Sequence, residues 1–127
     1  MLLASHQPVY IPGIILFNKI ALSDAFMFIG HVQYSRQSWQ SRNRIRSGDK
    51  SIYLSVPVKK SGQFGVAIND TEIAGGHWKR KHLASISQAY SNRPFFELYY
   101  PEFESLLLED FRRHCHVNSV ASARPVP

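Results

Sequence analysis

The chain has 127 residues, of which 44% are hydrophobic and 13% aromatic, and its formal net charge is +6 at pH 7. This composition excludes an intrinsically disordered protein, and the length suits one domain with a single core. The apolar runs are far shorter than the ~20 residues of a membrane-spanning helix. A lone cysteine excludes an internal disulfide framework. We therefore expect a globular, cytoplasmic protein without a membrane span, whose partners are anionic.

The first part of the chain predicts a βαβ unit. Leu2 to Ser5 indicates a strand, and Gly13 to Leu22 has apolar residues near helical spacing. Ala25 to Ile29 is a continuous apolar run, typical of a strand buried on both faces of a parallel sheet. A strand–helix–strand order of this length places the two strands side by side and parallel. We predict an α/β protein with a mostly parallel sheet, an N-terminal βαβ unit and C-terminal helices.

The middle of the chain is polar and basic. Gly30 to Lys50 shows no sustained period, so we predict a loop, and loops of this length in compact domains are usually functional. Ile52 to Val58 alternates apolar and polar residues, which indicates a half-buried strand that Pro57 places at an edge. After a turn, Val66 to Ile68 indicates another short strand.

Two helices and a tail follow. The first helix starts near Gly76 and is broken by Asn92 to Pro94, and Pro101 can open the second. We predict one domain over residues 1–113 and an irregular tail over residues 114–127. The last helix should leave an apolar face partly bare, which favours self-association. That face comprises Phe103, Leu106, Leu107 and Phe111.

The loop between the first strand and helix carries the first candidate site. Open α/β sheets bind ligands at such a point, because the amides of a helix N-terminus point unpaired into the crevice. His6 can transfer a proton near neutral pH, whereas Gln7 offers hydrogen bonds only. We predict that His6 is catalytic and that Gln7 and Tyr10 bind substrate. The alternative is a structural loop whose histidine is satisfied inside a turn.

Two basic segments extend this site. Arg42 to Arg44 follow Trp39, and arginine forks bind phosphate or carboxylate while a tryptophan can stack on a base or sugar. Trp78 to His82 places cations against the dipole of their own helix, which invites an anionic ligand. The alternatives are solvated basic surfaces, with Trp39 filling the core. Further substrate-binding residues are predicted to be Gln33, Gln40, Arg42, Asn43, Lys81 and His82.

His114 to His116 is the one clustered set of metal-binding side chains, and a zinc site needs about four ligands from separated pairs. We therefore predict no metal site, and no cofactor is assigned.

Seven segments, in order, resemble one protein family. They are His6 to Pro12, Phe17 to Asp24, Val32 to Ser35, Trp39 to Ile45, Leu54 to Val58, Trp78 to His82 and Gln88 to Tyr90. Together they resemble the WbqC-like family over roughly residues 3–112. The resemblance implies a bacterial protein encoded among genes for O-antigen and other surface polysaccharides.

Three features depart from the pattern of that family. Gly30 and His31 stand where the family usually has acidic residues, and Gly13 stands where it usually has tryptophan. Family members are generally longer, so we expect a chain truncated or frame-shifted at its C-terminus.

Two functional classes remain. The first is a WbqC-like enzyme that acts on a nucleotide or sugar phosphate in polysaccharide assembly. The type of enzyme that we consider for it is a nucleotidyl or acyl transferase. The second is a non-catalytic nucleic-acid-binding domain that uses residues 36–46 and 78–82. We favour the first, because the basic residues lie close together after a βαβ unit whose crevice suits a small ligand.

Overall fold

A computed structural model describes residues 1–36, 38–59 and 65–109. The elements are β1 (Leu3–His6), α1 (Ile14–Leu22), β2 (Ala25–Phe28), β3 (Arg42–Ser47), β4 (Lys50–Ser55), a 3₁₀ turn (Ile68–Asp70), α2 (His77–Tyr90) and α3 (Phe96–Leu107). Over the described ranges, no helix combines the length and apolarity needed to cross a bilayer.

The predicted βαβ unit is confirmed. Strands β1 and β2 pair in parallel, in a register that runs from Leu3 opposite Ala25 to His6 opposite Phe28. Helix α1 follows the loop, and the ammonium group of Lys19 on its surface donates a hydrogen bond to the carbonyl of Ser5 (2.6 Å). This bond fastens the helix to the strand that precedes it.

The predictions that β2 is buried on both faces and that the sheet is mostly parallel are corrected. Met27 of β2 is 54% exposed. In the described part of the chain, β1 and β2 form a sheet of only two strands. The other sheet, formed by β3 and β4, is antiparallel. The fold is thus α/β with one small parallel and one small antiparallel sheet.

Part of the predicted loop is a strand. Residues 42–47 pair with β4, from Arg42 opposite Ser55 to Ser47 opposite Lys50. The turn is Gly48-Asp49, and Gly48 has a φ of +61°, a left-handed conformation that favours glycine. Side chains alternate across the pleat, so Ile45 and Leu54 face the core while the arginines face outwards.

The strand predicted at residues 66–68 is also corrected. Ile68 begins a 3₁₀ turn, and Ala67 contributes one isolated bridge, to Gln33. Likewise β4 ends at Ser55, before Pro57, because proline has no N–H for the ladder.

The main core lies between the hairpin and the two C-terminal helices. Helix α2 packs against β3 and α3. The buried residues of this core are Tyr10, Ile45, Leu54, Val56, Ile73, Trp78, Leu83 and Leu107. Trp78 is therefore a core residue, as its helical stripe indicates.

Helix α3 begins earlier than its sequence suggests. It starts at Phe96, which places Pro101 inside the helix, where its nitrogen cannot donate to the carbonyl of Glu97. The bare apolar face expected on this helix is wrong for Leu107, which is buried, while Phe103 and Leu106 are half-buried. Phe111 and the tail from residue 114 lie outside the described residues.

Candidate ligand-binding site

We call residues 6–12 the first motif. Hydrogen bonds connect this motif to the segment that leads into β3. The side-chain amide of Gln40 donates to Gln7 Oε1 (2.8 Å), and its own Oε1 accepts from the backbone N–H of Ser35 (2.9 Å). Both ends of the buried Gln40 carboxamide are therefore engaged. The structure thus brings together Gln7 and Gln40, two of the predicted binding residues.

Asn43 makes the second connection. Its amide nitrogen donates to the carbonyls of Tyr10 (3.2 Å) and Ile11 (2.6 Å), and its Oδ1 accepts from the N–H of Arg44 (2.7 Å). Ile11 has a φ of +46°, a strained conformation for a β-branched residue. The Asn43 side chain holds that strained turn against β3, so it positions the first motif relative to the arginines.

His6 lies half-buried at the end of β1, where the loop begins. Its Nδ1 is 2.7 Å from the carbonyl of Gln7. Because a carbonyl can only accept, Nδ1 carries the proton in this contact, and in the neutral ring Nε2 keeps its lone pair. This is the tautomer required of a histidine that accepts a proton through Nε2.

Tyr10 and His82 form a buried polar chain. The Tyr10 hydroxyl donates to His82 Nδ1 (2.7 Å), and His82 Nε2–H donates to the carbonyl of Ser55 (3.1 Å). Burial lowers the pKa of His82 to about 4, partly opposed by the bond to Ser55, and burial raises the pKa of Tyr10. Histidine is therefore neutral here at pH 7.

Both of these residues are predicted from sequence to bind substrate. Tyr10 is 1% exposed and His82 is 5% exposed, and each has the other as a partner. The structure shows that both side chains are buried and hydrogen-bonded to each other, and their contact with a ligand stays a prediction. Ser55, whose carbonyl accepts from His82, stands opposite Arg42 in the register of the hairpin.

The outer face of the hairpin presents cations and rings together. We define this outer face as Arg42, Arg44 and Arg46 of β3 with Ser51, Tyr53 and Ser55 of β4, which the register places on one side of the sheet. The Arg42 guanidinium carbon is 4.6 Å from the centre of the Tyr53 ring. That of Arg44 is 5.8 Å from Tyr53 and 5.9 Å from Trp39.

The rings on this face remain accessible. Trp39 is 51% exposed and Tyr53 is 52% exposed, so Trp39 does not fill the core. Within the described ranges no carboxylate forms an ion pair with the three arginines. Sequence reasoning missed Tyr53. The signal that could have found it is the alternation at residues 42, 44 and 46, read together with the Gly48-Asp49 turn.

Two predicted residues lie apart from this assembly. Gln33 is exposed and pairs through its backbone with Ala67, and Lys81 is exposed on α2. Neither forms a hydrogen bond to the first motif within the described part of the chain. Near Lys81, the side chain of Lys79 donates to the carbonyl of Glu109.

Across the described residues, no three His, Cys, Asp or Glu side chains are grouped so that they could hold a metal ion. An open depression of about 550 Å³ lies at the turn between α2 and α3, lined by residues 91–98. None of the predicted site residues lines it.

These features define an α/β protein in which the loop of a parallel βαβ unit is hydrogen-bonded to an arginine-rich hairpin and to the segment that leads into it. The model of the WbqC-like protein family matches residues 7–124, and the chain belongs to that family. It is 33% identical over 90 residues to the uncharacterized protein Rv1507c of Mycobacterium tuberculosis (strain ATCC 25618 / H37Rv). The matched segment is 71% of this chain and 39% of that relative, so the chain spans about two fifths of its length. No solved structure matches the chain.

Proposed function

We propose that the protein handles a nucleotide-activated or phosphorylated small molecule in the assembly of bacterial O-antigen or a related surface polysaccharide, as a transferase of nucleotidyl or acyl type. Family membership supports the biological setting. The observation that carries the chemistry is the pair of connections, Gln40 to Gln7 and Asn43 to the Tyr10 and Ile11 carbonyls, that fix the first motif beside a basic strand.

In this proposal the first motif and the arginines of β3 have separate roles. His6 accepts or returns a proton through Nε2, because Nδ1 is engaged with the Gln7 carbonyl. Arg42 holds the anionic group of the ligand, since a guanidinium offers a planar fork of donors to phosphate or carboxylate. Gln7 presents its remaining donors and acceptor to the ligand.

The test separates binding from chemistry. Purified protein is screened by thermal shift against nucleotides, nucleotide sugars, sugar phosphates and amino acids, and a hit raises the melting temperature through preferential binding to the folded state. Once the reaction is found, His6→Gln should lower kcat by at least about 100-fold, the usual contribution of a general acid or base, with little change in the Kd. The matched control is His31→Gln, since His31 is exposed.

Two results would contradict the proposal. One is that no nucleotide or phosphorylated compound shifts the melting temperature. The other is that His6→Gln turns over the substrate like the wild type.

The second candidate is a nucleic-acid-binding domain, and the exposed Trp39 beside Arg44 is the observation that favours it. Nuclease treatment of the purified protein distinguishes the two functions. If the ratio of nucleic-acid absorbance to protein absorbance falls on treatment, nucleic acid has co-purified with the protein. That result, together with a gel shift of single-stranded DNA, would favour this candidate over the small-molecule function.

A further inference from the structure

The outer face of the hairpin places two arginine guanidinium groups beside aromatic side chains, a combination that suits a ligand with two anionic groups and a planar ring. Arg42 and Arg44 are alternate residues of β3, so their backbones are about 7 Å apart along the strand. Tyr53 lies directly opposite Arg44, and the Arg44 guanidinium is also within 6 Å of the centre of the Trp39 ring.

The proximity of the guanidinium groups to the rings leaves their hydrogen-bonding capacity intact. A guanidinium that lies over a ring uses its flat face for that contact, while its five N–H donors point outwards in the plane. The rings therefore restrict the guanidinium groups before any ligand arrives, which reduces the side-chain entropy that binding would cost. Trp39 and Tyr53 are each about half exposed to solvent.

The third arginine indicates the length of the ligand. Arg46 Nε donates to the carbonyl of Gly48 (3.1 Å), which directs this side chain towards the turn. Two guanidinium groups, rather than a continuous row of three, thus lie within 6 Å of a ring centre. This arrangement favours a short ligand with two linked anionic groups over a long polyanion, which would use every cation along the strand.

We propose that this face binds the nucleoside diphosphate part of the ligand, with its planar base on Trp39 or Tyr53 and one phosphate on each of Arg42 and Arg44. This assignment rests on the proposed function and specifies where, and by which part, the activated ligand is held. The hydroxyls of Ser51 and Ser55 on the same face are available to the ribose.

The experiment is isothermal titration of the full chain with UDP, ADP, UMP, uridine and pyrophosphate, at one salt concentration. At least one nucleoside diphosphate should bind about tenfold more tightly than UMP and pyrophosphate. Only the diphosphate contacts the guanidinium groups of both Arg42 and Arg44 and also an aromatic ring, because UMP has one phosphate and pyrophosphate has no base. Arg44→Gln and Tyr53→Ala should each weaken that affinity about tenfold. Arg44→Lys, which keeps the charge but loses the fork, should fall between wild type and Arg44→Gln.

Matched controls come from exposed residues elsewhere. Arg93→Gln makes the same charge change as Arg44→Gln, and Tyr99→Ala the same truncation as Tyr53→Ala, both near the α2–α3 turn. Affinities of the controls should stay within twofold of wild type. A second measurement is tryptophan fluorescence: the diphosphate should quench it in wild type but not in Trp39→Phe, where the buried Trp78 remains as internal reference.

The outcomes separate this inference from the function it rests on. If wild type binds none of the nucleotides or phosphorylated compounds, the proposed function fails. If wild type binds a nucleoside diphosphate but Arg44→Gln and Tyr53→Ala behave like their controls, the function stands and this assignment is overturned. A ten-residue oligo(dT) that binds more tightly than the diphosphates, with loss in Arg44→Gln, would also overturn it in favour of single-stranded nucleic acid.

Discussion

Tyr10 connects three parts of the molecule through separate atoms. Its hydroxyl donates to His82 on α2, its carbonyl accepts from Asn43 on β3, and its N–H donates to the carbonyl of Trp39. Each partner lies near the outer face of the hairpin or beneath it. Tyr10 therefore links the first motif to α2, to β3 and to the segment that leads into β3.

Tyr10→Phe tests this role. The substitution keeps the ring packed against Trp78 but leaves His82 Nδ1 buried without a donor. We expect the free energy of unfolding to fall by about 1–3 kcal/mol, the cost of one unsatisfied buried group. Urea denaturation measures it, with Tyr99→Phe on the surface as control, expected within about 0.5 kcal/mol of wild type. Equal stability of the two variants would show that the bond contributes nothing.

The polar residues of the candidate site could be predicted to different degrees. His6 and Gln7 are visible from sequence because polar side chains at the end of a strand seldom have a packing reason to be there. The involvement of Tyr53 could not be seen, because it depends on cross-strand pairing with Arg44, 9 positions away in the register of the hairpin. Tyr10 and His82 carry both apolar and polar atoms, so their sequence pattern fits a core position and a ligand contact equally well.

At the scale of elements, the hairpin shows why a strand can be missed. Strand β3 reads Arg-Asn-Arg-Ile-Arg-Ser, and Ile45 is its one apolar residue. Periodicity judged from hydrophobic residues finds no alternation there, although the charged residues do alternate. The βαβ unit was predictable because β2 is apolar throughout, β1 begins with apolar residues, and short connections with right-handed crossover leave few arrangements.

The Gly48-Asp49 turn fixes the register that aligns the outer face. A Cβ placed on Gly48 would meet no atom within 4 Å, so any cost of substitution comes from its φ of +61° rather than from a clash. Gly48→Val should destabilise the protein by about 1–2 kcal/mol, and Gly48→Asn by less than half as much, because asparagine tolerates the left-handed region. Thermal melts of both variants measure this difference, and indistinguishable melting temperatures would contradict it.

At the scale of the whole molecule, burial is unevenly distributed. The hairpin, α2 and α3 enclose the main core, whereas the βαβ unit exposes several large apolar side chains. The exposed set comprises Leu2, Leu3, Ile14, Ile15, Phe17, Leu22 and Met27. An apolar run in the sequence predicts that the segment is buried, but it does not predict which other element packs against it. This is why β2 is recognisable as a strand while its degree of burial is not.

The pH dependence of global stability follows from His82, because this residue joins α2, the hairpin and the first motif. Its pKa is about 4 in the folded protein and 6.5 in the unfolded chain. Between these values the unfolded state binds more protons, so the free energy of unfolding falls as pH is lowered from 6.5 towards 4. The loss from this residue is at most about 3 kcal/mol, and none arises above pH 7.

His82→Gln removes this titration, so its unfolding free energy should fall less steeply over the same pH interval, although its stability at pH 7 is lower than that of wild type. Urea denaturation at half-unit steps from pH 7.5 to 4.5 measures both slopes, and the carboxylates and remaining histidines contribute equally to the two proteins. Gln88→Ala, an exposed change on α2 that alters no titratable group, should follow the wild-type slope. Parallel curves for wild type and His82→Gln would mean that His82 is protonated as readily in the folded state as in the unfolded one, and that the buried chain from Tyr10 to Ser55 does not hold the imidazole neutral.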